Sequence, residues 1–267
     1  MFFADIAPLK SLDERLRQLA DMNVPTPAIE RRRNLLTGLL KAVSEPSLAL
    51  IRERDANLIA RDIPQGWFKY LDCGYFIDHN LDVAEHLGLI GVPPLAILDI
   101  GAGAGHFAFV CTSFGHDATA IDVEAPLLEE IAAAMGVSRR IARVEPDARL
   151  PDFDRKFDLV VAESTMFNII GWKWRGPLEN DLRKPPHAFD RYWTLAQWHY
   201  LLADLIDNQL RYPGRIYFHL NCEIHHGEHR CNTELLNFCA AHGAVVRHEG
   251  GGFIDWRLTE PVTLAPV

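Results

Sequence analysis

The sequence has no long apolar run and no closely paired cysteines. No stretch approaches the ~18 apolar residues that a membrane-spanning helix needs, and Asp5 interrupts the apolar start of the chain before a signal peptide can form. The five cysteines include no C-x-x-C pair, so reduced thiols are a simpler interpretation than disulfides. We therefore expect a cytoplasmic protein with no membrane partner.

The sequence also lacks an excess of basic residues. It has 27 Lys and Arg against 36 Asp and Glu, a formal net charge of -9, whereas nonspecific binding to nucleic acid depends on a basic surface. The only tight basic run, 31–33, is typical of a solvated helix face. We expect no nucleic-acid partner, although a local basic patch leaves an RNA or protein acceptor open. The 267 residues, 48% of them hydrophobic, suffice for a sizeable core.

Three glycines at alternate positions follow a short apolar run. The run Ile-Leu-Asp-Ile predicts a buried strand, and Gly101, Gly103 and Gly105 then let the backbone turn sharply against a ligand. A dinucleotide-binding fingerprint needs a glycine where this chain has His106. The carboxylate of Asp99 would repel a phosphate but attract an ammonium group. The spacing therefore favours an aminoacyl nucleoside over a dinucleotide.

The segment from Asp99 to Gly105 resembles motif I of the class I S-adenosylmethionine-dependent methyltransferases. In that family the acid and the glycine loop surround the methionine part of the cofactor, and the loop here includes Ala102. The resemblance implies that S-adenosylmethionine is the cofactor. A glycine-rich turn in some other α/β protein is the alternative for this segment taken alone.

A second acid follows the next predicted strand, 118–122. Asp122 lies 21 residues after Gly101, where a carboxylate can accept hydrogen bonds from two ribose hydroxyls. We predict that Asp122, with Val123 beside it, binds the ribose. Capping of the following helix is the alternative role for Asp122.

Later segments extend the resemblance. Asp147 and Ala148 match the family's contact with the adenine ring, and 157–163 matches its fourth strand. Glu163 ends that strand, where it either contacts the cofactor or the acceptor or caps a helix. The resemblance covers residues 95–260 and includes further predicted strands and helices at 140–145, 194–206, 210–220, 232–242, 244–248 and 253–259.

The resemblance implies an α/β fold with a Rossmann-like, seven-stranded, mostly parallel sheet and helices on both faces. Residues 1–92 predict a preceding helical cap, which opens with a capping box at Ser11 and Glu14, and residues 93–267 form the predicted methyltransferase domain. The cap either covers the acceptor side of the cofactor or supplies a homodimer contact. Five aromatic residues either wall the pocket or pack a helix on the sheet: Trp67, Phe68, Tyr70, Tyr75 and Phe76.

Two segments are candidates for acting on the acceptor. Residues 163–192 combine aromatic and basic side chains in a connection too long for an ordinary loop, which predicts a lid or an aromatic flap. Residues 219–231 contain four histidines and two cysteines, but the spacing fits no zinc pattern and we predict no metal. We predict instead that His225 or His226 takes a proton from an acceptor hydroxyl, with ordinary surface histidines as the alternative.

The chain lacks the N/D-P-P-Y/F tetrapeptide that the family uses to methylate amino groups of bases. Residues 163–166 read Glu-Ser-Thr-Met at that place, which favours a small-molecule acceptor methylated at oxygen. Two other classes stay open. One is an NAD-dependent oxidoreductase, which His106 and Asp99 disfavour, and the other is a noncatalytic interaction protein on a methyltransferase-like scaffold.

Overall fold

The chain folds around a seven-stranded sheet, seen in a computed structural model. The structure describes residues 10–22, 26–59, 67–165, 168, 192–221, 223–225, 228–230, 232–248 and 252–267. The strands within these ranges are β1 (Ala96–Ile100), β2 (Asp117–Asp122), β3 (Arg139–Ile141), β4 (Phe157–Thr165), β5 (Leu210–Leu220), β6 (Glu223–His225), β7 (Glu228–Arg230), β8 (Val245–Arg247) and β9 (Phe253–Leu258). Strands β6 and β7 form a separate hairpin.

The order across the large sheet is β3-β2-β1-β4-β5-β9-β8. Strands β1 to β5 are parallel to one another, and β9 runs antiparallel to both of its neighbours, β5 and β8. The strand order reverses direction between β1 and β4, which is where open α/β sheets bind their ligands. The predicted fold class, a Rossmann-like and mostly parallel seven-stranded sheet with helices on both faces, is confirmed.

The described helices are α1 (Leu12–Asp21), α2 (Pro27–Lys41), α3 (Glu45–Arg54), α4 (Ala56–Ile59), α5 (Cys73–Leu87), α6 (His106–Ser113), α7 (Pro126–Ala134), α8 (Leu195–Asp204) and α9 (Thr233–Ala241). A short 3-10 helix, Trp67–Leu71, precedes α5, and a π-helical turn, Leu205–Gln209, follows α8. The predicted capping box of Ser11 with Glu14 is present at α1, and Thr194 with Gln197 forms a second one at α8. Each satisfies backbone N–H groups that a helix start leaves open.

Alternating residues of the strands fill two cores. On one face, strand residues such as Val161 and Tyr217 pack with α5, α6, α7 and the first helices of the chain. On the other face, Val160 and Phe218 pack with α8 and α9. Successive side chains of a strand point to opposite faces, so β4 and β5 are buried on both sides.

The helices before β1 pack onto the first of these faces. Helix α5 lies against α6, and the segment α3 contacts α7. The buried carboxylate of Asp72 caps α5 at Tyr75 N and accepts hydrogen bonds from the Arg15 guanidinium at 2.6 and 3.1 Å, which ties α1 to the start of α5. The boundary between a cap of 1–92 and a domain of 93–267 stays a prediction.

Three details differ from the sequence prediction. Strand β3 ends at Ile141 instead of reaching Glu145, because its only neighbour, β2, ends at Asp122, the Cα partner of Ile141. Strand β4 continues two residues beyond Glu163. Helix α5 was not predicted, although Asp72 caps its start and Gly88, in the left-handed conformation, ends it.

Most of the predicted lid at 163–192 lies outside the described residues. Its two ends are described, and Asn168 O accepts a hydrogen bond from Trp193 N, just beyond the second end. Among the residues that the structure does describe, no helix is long and apolar enough to cross a bilayer.

Candidate active site

The candidate site lies at the carboxyl ends of β1, β2, β4 and β5. Strand register determines which side chains meet there. Asp99 pairs with Val161, and two residues further along β4 Glu163 pairs with His219. Because side chains alternate along a strand, these residues project to the same face of the sheet, the one that α5 covers. The face therefore presents a row of ionisable groups at the point where the strand order reverses.

The glycine loop closes one end of this row. Gly101 N and Ala102 N both donate to Ile121 O, at 2.9 and 3.1 Å, so the loop turns back over the end of β2. Gly101 has φ +69°, and a Cβ there would overlap the Thr165 hydroxyl at the end of β4. Only glycine combines this backbone conformation with such close approach. The predicted turn after β1 is therefore present.

Asp122 holds the same loop from the end of β2. Its Oδ2 accepts a hydrogen bond from Gly103 N and its Oδ1 accepts one from Val123 N, both at 2.6 Å. Burial raises the pKa of this carboxyl, while the backbone donors and the nearby Arg139 act in the opposite direction. Each oxygen keeps a second lone pair, so the contacts leave acceptor capacity for the predicted ribose hydroxyls.

Asp99 is the least satisfied acid of the site. The residue is 2% exposed, and its Oδ2 has no hydrogen-bond partner among the described residues. Burial raises its pKa to about 8, and the negative charges of Asp122 and Glu163 add to the effect. A buried carboxyl in this state is neutral at pH 7 until a cation arrives to stabilise its charge.

Glu163 has the opposite surroundings. Its Oε1 accepts hydrogen bonds from His219 Nδ1 at 2.7 Å, from His79 Nε2 at 3.1 Å and from the Ser164 hydroxyl at 2.9 Å. Burial alone would raise its pKa, but the two histidines outweigh burial and lower it to about 2. The hydrogen bond to Glu163 in turn raises the pKa of His79. Glu163 is therefore an anion that binds two imidazoles.

Neighbouring backbone fixes this cluster in place. His219 pairs with Phe253 across β5 and β9, and their rings stack at 3.9 Å between centroids with 9° between planes. Ser164 has φ +52°, a strained conformation for a residue with a side chain, and its carbonyl accepts a hydrogen bond from Asn221 Nδ2 at 2.8 Å. The irregularity lies in the β4–β5 register between Glu163 and Thr165. Strain at this position is typical of a functional site.

Aromatic rings from the helices before β1 cover the glycine loop. Tyr70 lies 5.9 Å from Trp67, 4.7 Å from Phe76 and 6.0 Å from His106, measured between ring centroids. A Cβ on Gly103 would lie 3.8 Å from the Tyr70 ring. Burial lowers the pKa of His106 to about 3, so this imidazole is neutral. Part of the predicted aromatic wall therefore contacts the loop.

Some of the remaining predicted site residues have only local contacts, and the others lie outside the described residues. Asp147 and Ala148 are exposed, and Asp147 Oδ2 accepts a hydrogen bond from Gln197 Nε2 at 3.3 Å. Gly105 caps α6. His225 belongs to the β6–β7 hairpin, whose side chains are not described, and His226 lies outside the described residues. Over the described part of the chain, no group of three or more His, Cys, Asp or Glu side chains is arranged to hold a metal ion.

The sequence analysis missed two features of the cluster. It did not predict that His79 belongs to the cluster, and it did not assign His219 to the contact with Glu163. His219 was visible at the end of a predicted strand, and alternation along β4 and β5 would have placed it on the face of Glu163. His79 left no such signal, because the helix that carries it was not predicted. Its position depends on how α5 packs against the sheet.

A comparison with protein families supports the chemistry of this site. Residues 98–175 match a family model described as a methyltransferase domain. This match lies within the segment that resembles the class I S-adenosylmethionine-dependent methyltransferases, and it supports the predicted enzyme class, a methyltransferase. None of the curated proteins matches the chain.

Solved structures resemble the methyltransferase only distantly. The ribosomal protein L11 methylase of Lactobacillus delbrueckii subsp. bulgaricus is 20% identical, with 68% of this chain and 77% of that chain covered and a TM-score of 0.37. DesVI of Streptomyces venezuelae is 12% identical over 68% and 92%, with a TM-score of 0.44. A TehB-like S-adenosylmethionine-dependent methyltransferase of Corynebacterium glutamicum is 15% identical over 80% and 98%, with a TM-score of 0.40. These similarities are too low to transfer an acceptor to this chain.

Proposed function

We propose that this methyltransferase moves the methyl group of S-adenosylmethionine to an oxygen atom of a small-molecule acceptor. The observation that carries the proposal is the unpartnered, buried Oδ2 of Asp99 beside the glycine loop. A buried polar atom without a partner is rare in folded proteins and calls for a ligand that supplies one. The ammonium group of the cofactor's methionine part has the charge and the hydrogen-bond donors that this oxygen lacks.

The surrounding residues fit the rest of the cofactor. The glycine loop brings backbone close to a ligand, and Asp122 has acceptor capacity for the two ribose hydroxyls. Asp147 and Ala148 are assigned to the adenine ring by resemblance alone. When bound, the cofactor supplies an activated methyl group on a cationic sulfur, and the protein has to align an acceptor with it and exclude water.

The acceptor is assigned to the side of the site formed by Glu163, His79 and His219. This cluster offers imidazoles held by a carboxylate, the arrangement that moves protons in many enzymes. Methylation of a hydroxyl releases a proton, whereas a neutral amine attacks without a base at that step. The net charge of -9 also favours a small molecule over a nucleic acid. A cytoplasmic location and a homodimer stay predictions.

One experiment tests this function. The purified protein is incubated with methyl-labelled S-adenosylmethionine and a metabolite extract, and labelled products are identified by mass spectrometry. We expect the label in a small molecule that carries a new O-methyl group. Label in an N-methyl product would contradict the oxygen assignment, label in protein or RNA would contradict a small-molecule acceptor, and no transfer would contradict the proposed function.

A further inference from the structure

One histidine of the site comes from the helices before β1. His79 lies in the second turn of α5, among the helices before β1, and reaches Glu163 at the end of β4. Its Nε2 and the Glu163 Oε1 are 3.1 Å apart, and the side chain of Glu163 is 6% exposed. The contact joins the N-terminal helices to the sheet at the place where the acceptor is assigned.

The contact with Glu163 determines which nitrogen of His79 holds the proton. Glu163 is ionised and can only accept hydrogen bonds, so His79 Nε2 must be the protonated, donating nitrogen. In the neutral imidazole Nδ1 then keeps its lone pair. Nδ1 has no hydrogen-bond partner in the ranges that the structure describes, and 34% of the side chain is exposed. His79 is therefore a base whose free nitrogen is accessible.

His219 differs from His79 in its surroundings. Its ring stacks on Phe253, its side chain is 12% exposed, and its Nδ1 lies 2.7 Å from Glu163 and 3.3 Å from the Ser164 hydroxyl. A ring packed in this way holds the carboxylate of Glu163 in one orientation. Carboxylates that bind an imidazole fix its tautomer and increase its basicity.

We propose that His79 Nδ1 is the proton acceptor of the methyl transfer, with Glu163 and His219 as positioning residues. This inference rests on the proposed function. As the acceptor oxygen forms its bond to the methyl carbon, the carbon–sulfur bond breaks and its electron pair stays on sulfur. The acceptor's O–H bond breaks, its electron pair stays on oxygen, and the proton moves to His79 Nδ1. The products are a methyl ether or ester, neutral S-adenosylhomocysteine and an imidazolium ion.

The charges around His79 keep this base effective near neutral pH. Glu163 faces it from β4, and Asp78 and Asp82 lie near it on α5; all three favour the imidazolium. Arg32 on α2 binds both of these aspartates and so reduces their influence. His219 faces the same carboxylate from β5. Together these charges raise the pKa of His79 above the ordinary value for histidine, about 6.5.

A pair of substitutions on α5 tests the catalytic role. His79→Gln removes the base and keeps an amide that can still donate to Glu163. His86→Gln is the matched control, because His86 lies two turns along the same helix and is exposed. Label transfer from methyl-labelled S-adenosylmethionine into the small molecules of the extract is measured for each. We expect a loss of a hundredfold or more in His79→Gln and no change in His86→Gln, since a positioned base typically contributes ~10²–10⁴-fold.

Binding and spectroscopy distinguish a base from a structural residue. The affinity for S-adenosylhomocysteine, measured by calorimetry, should change less than threefold in His79→Gln. In protein labelled with ¹⁵N-histidine, the His79 signals should show Nδ1 as the unprotonated nitrogen of the neutral ring. In Glu163→Gln the pKa of His79 should fall, because the charge that raises it is gone.

Each outcome decides the inference. Transfer by His79→Gln within threefold of the wild type would overturn it, as would an unprotonated Nε2 in the NMR spectra. If the wild type transfers no label, the proposed function fails and the inference falls with it, whereas label transfer that His79→Gln retains overturns the inference alone. A loss of transfer with S-adenosylhomocysteine affinity retained and Nδ1 unprotonated supports it.

Discussion

Asp99 and Glu163 are two buried carboxyl groups of one site, and their surroundings drive their pKa values in opposite directions. Each has one oxygen without a hydrogen-bond partner among the described residues, but Asp99 has a pKa of about 8, whereas the other oxygen of Glu163 binds two histidines and its pKa is about 2. Groups whose environments separate their pKa values in this way take different chemical roles. Asp99 suits a group that waits for a cation, and Glu163 suits a permanent anion that orients bases.

The comparison also separates two ways in which a chain builds a site. Asp99 belongs to a local segment, residues 96–105, which contains a strand, its acid and the glycine loop. Glu163 acquires its character from His79, which lies 84 positions away, and from His219, 56 positions away. The part of the site around Asp99 depends on local geometry. The part around Glu163 depends on how helix α5 packs against the sheet.

The largest expected effect is a pH-dependent gain of stability in Asp99→Asn. The folded pKa of Asp99, about 8, lies above its unfolded value of ~3.9, so the wild type loses stability as pH rises between these values. The loss reaches up to ~1.4 kcal/mol per pH unit. Asparagine resembles the neutral form of the acid and does not ionise, so the variant does not lose stability in this way. Urea unfolding at pH 4 should give similar stabilities, and at pH 8.5 the variant should be the more stable; parallel pH curves would contradict the assigned state of Asp99.

The next effect concerns the contact between the glycine loop and β4. Gly101→Ala places a side chain at φ +69° and against the Thr165 hydroxyl, and we expect it to cost ~3 kcal/mol of unfolding free energy. Gly115→Ala is the control, because φ is +87° there but no atom lies within 4 Å of the added Cβ. It should cost only ~1 kcal/mol. Equal losses in chemical denaturation would show that crowding at Thr165 plays no part.

A smaller effect is expected for Glu163→Gln near pH 6, a loss of ~2 kcal/mol. The pKa of Glu163 is lowered, so its contribution is present above ~4.3 and is lost as pH falls towards 2. The pKa of His79 is raised, so its contribution is present below ~6.5 and is lost as pH rises through the folded value. The loss of unfolding free energy in the variant should therefore be largest between pH 5 and 6.5.

Denaturation at pH 3, 6 and 9 checks this window. Glu130→Gln is the control, because Glu130 forms an exposed ion pair with Arg54, and exposed pairs contribute little. A deficit for Glu163→Gln that does not change with pH would mean that the hydrogen bonds matter but the charge does not.

The sequence predicts the turn of the glycine loop for a physical reason. Asp99, Gly101, Gly103 and Asp122 act within strand–turn units, and parallel pairing of β1 with β2 brings them together. The seven-stranded, mostly parallel sheet followed from the resemblance to the family. These features depend on short spacings that a single sequence displays.

The acceptor half was not predictable in the same way. The position of His79 depends on α5 and on how that helix packs against the sheet. The apolar periodicity of α5 is interrupted by aromatic and acidic residues. The end of β3 depended on the length of its neighbour β2, which no local pattern records. The predicted bases His225 and His226 stay untested, and the structure offers His79 in their place.

The most direct test is the number of protons released when S-adenosylmethionine binds at pH 7. It is measured by calorimetry in two buffers of different ionisation enthalpy. If the cofactor's ammonium group binds Asp99, the neutral carboxyl must ionise, and the wild type should release about one proton. Asp99→Asn should release none and bind at least tenfold more weakly. Equal affinity and equal proton release in the two proteins would contradict the role of Asp99.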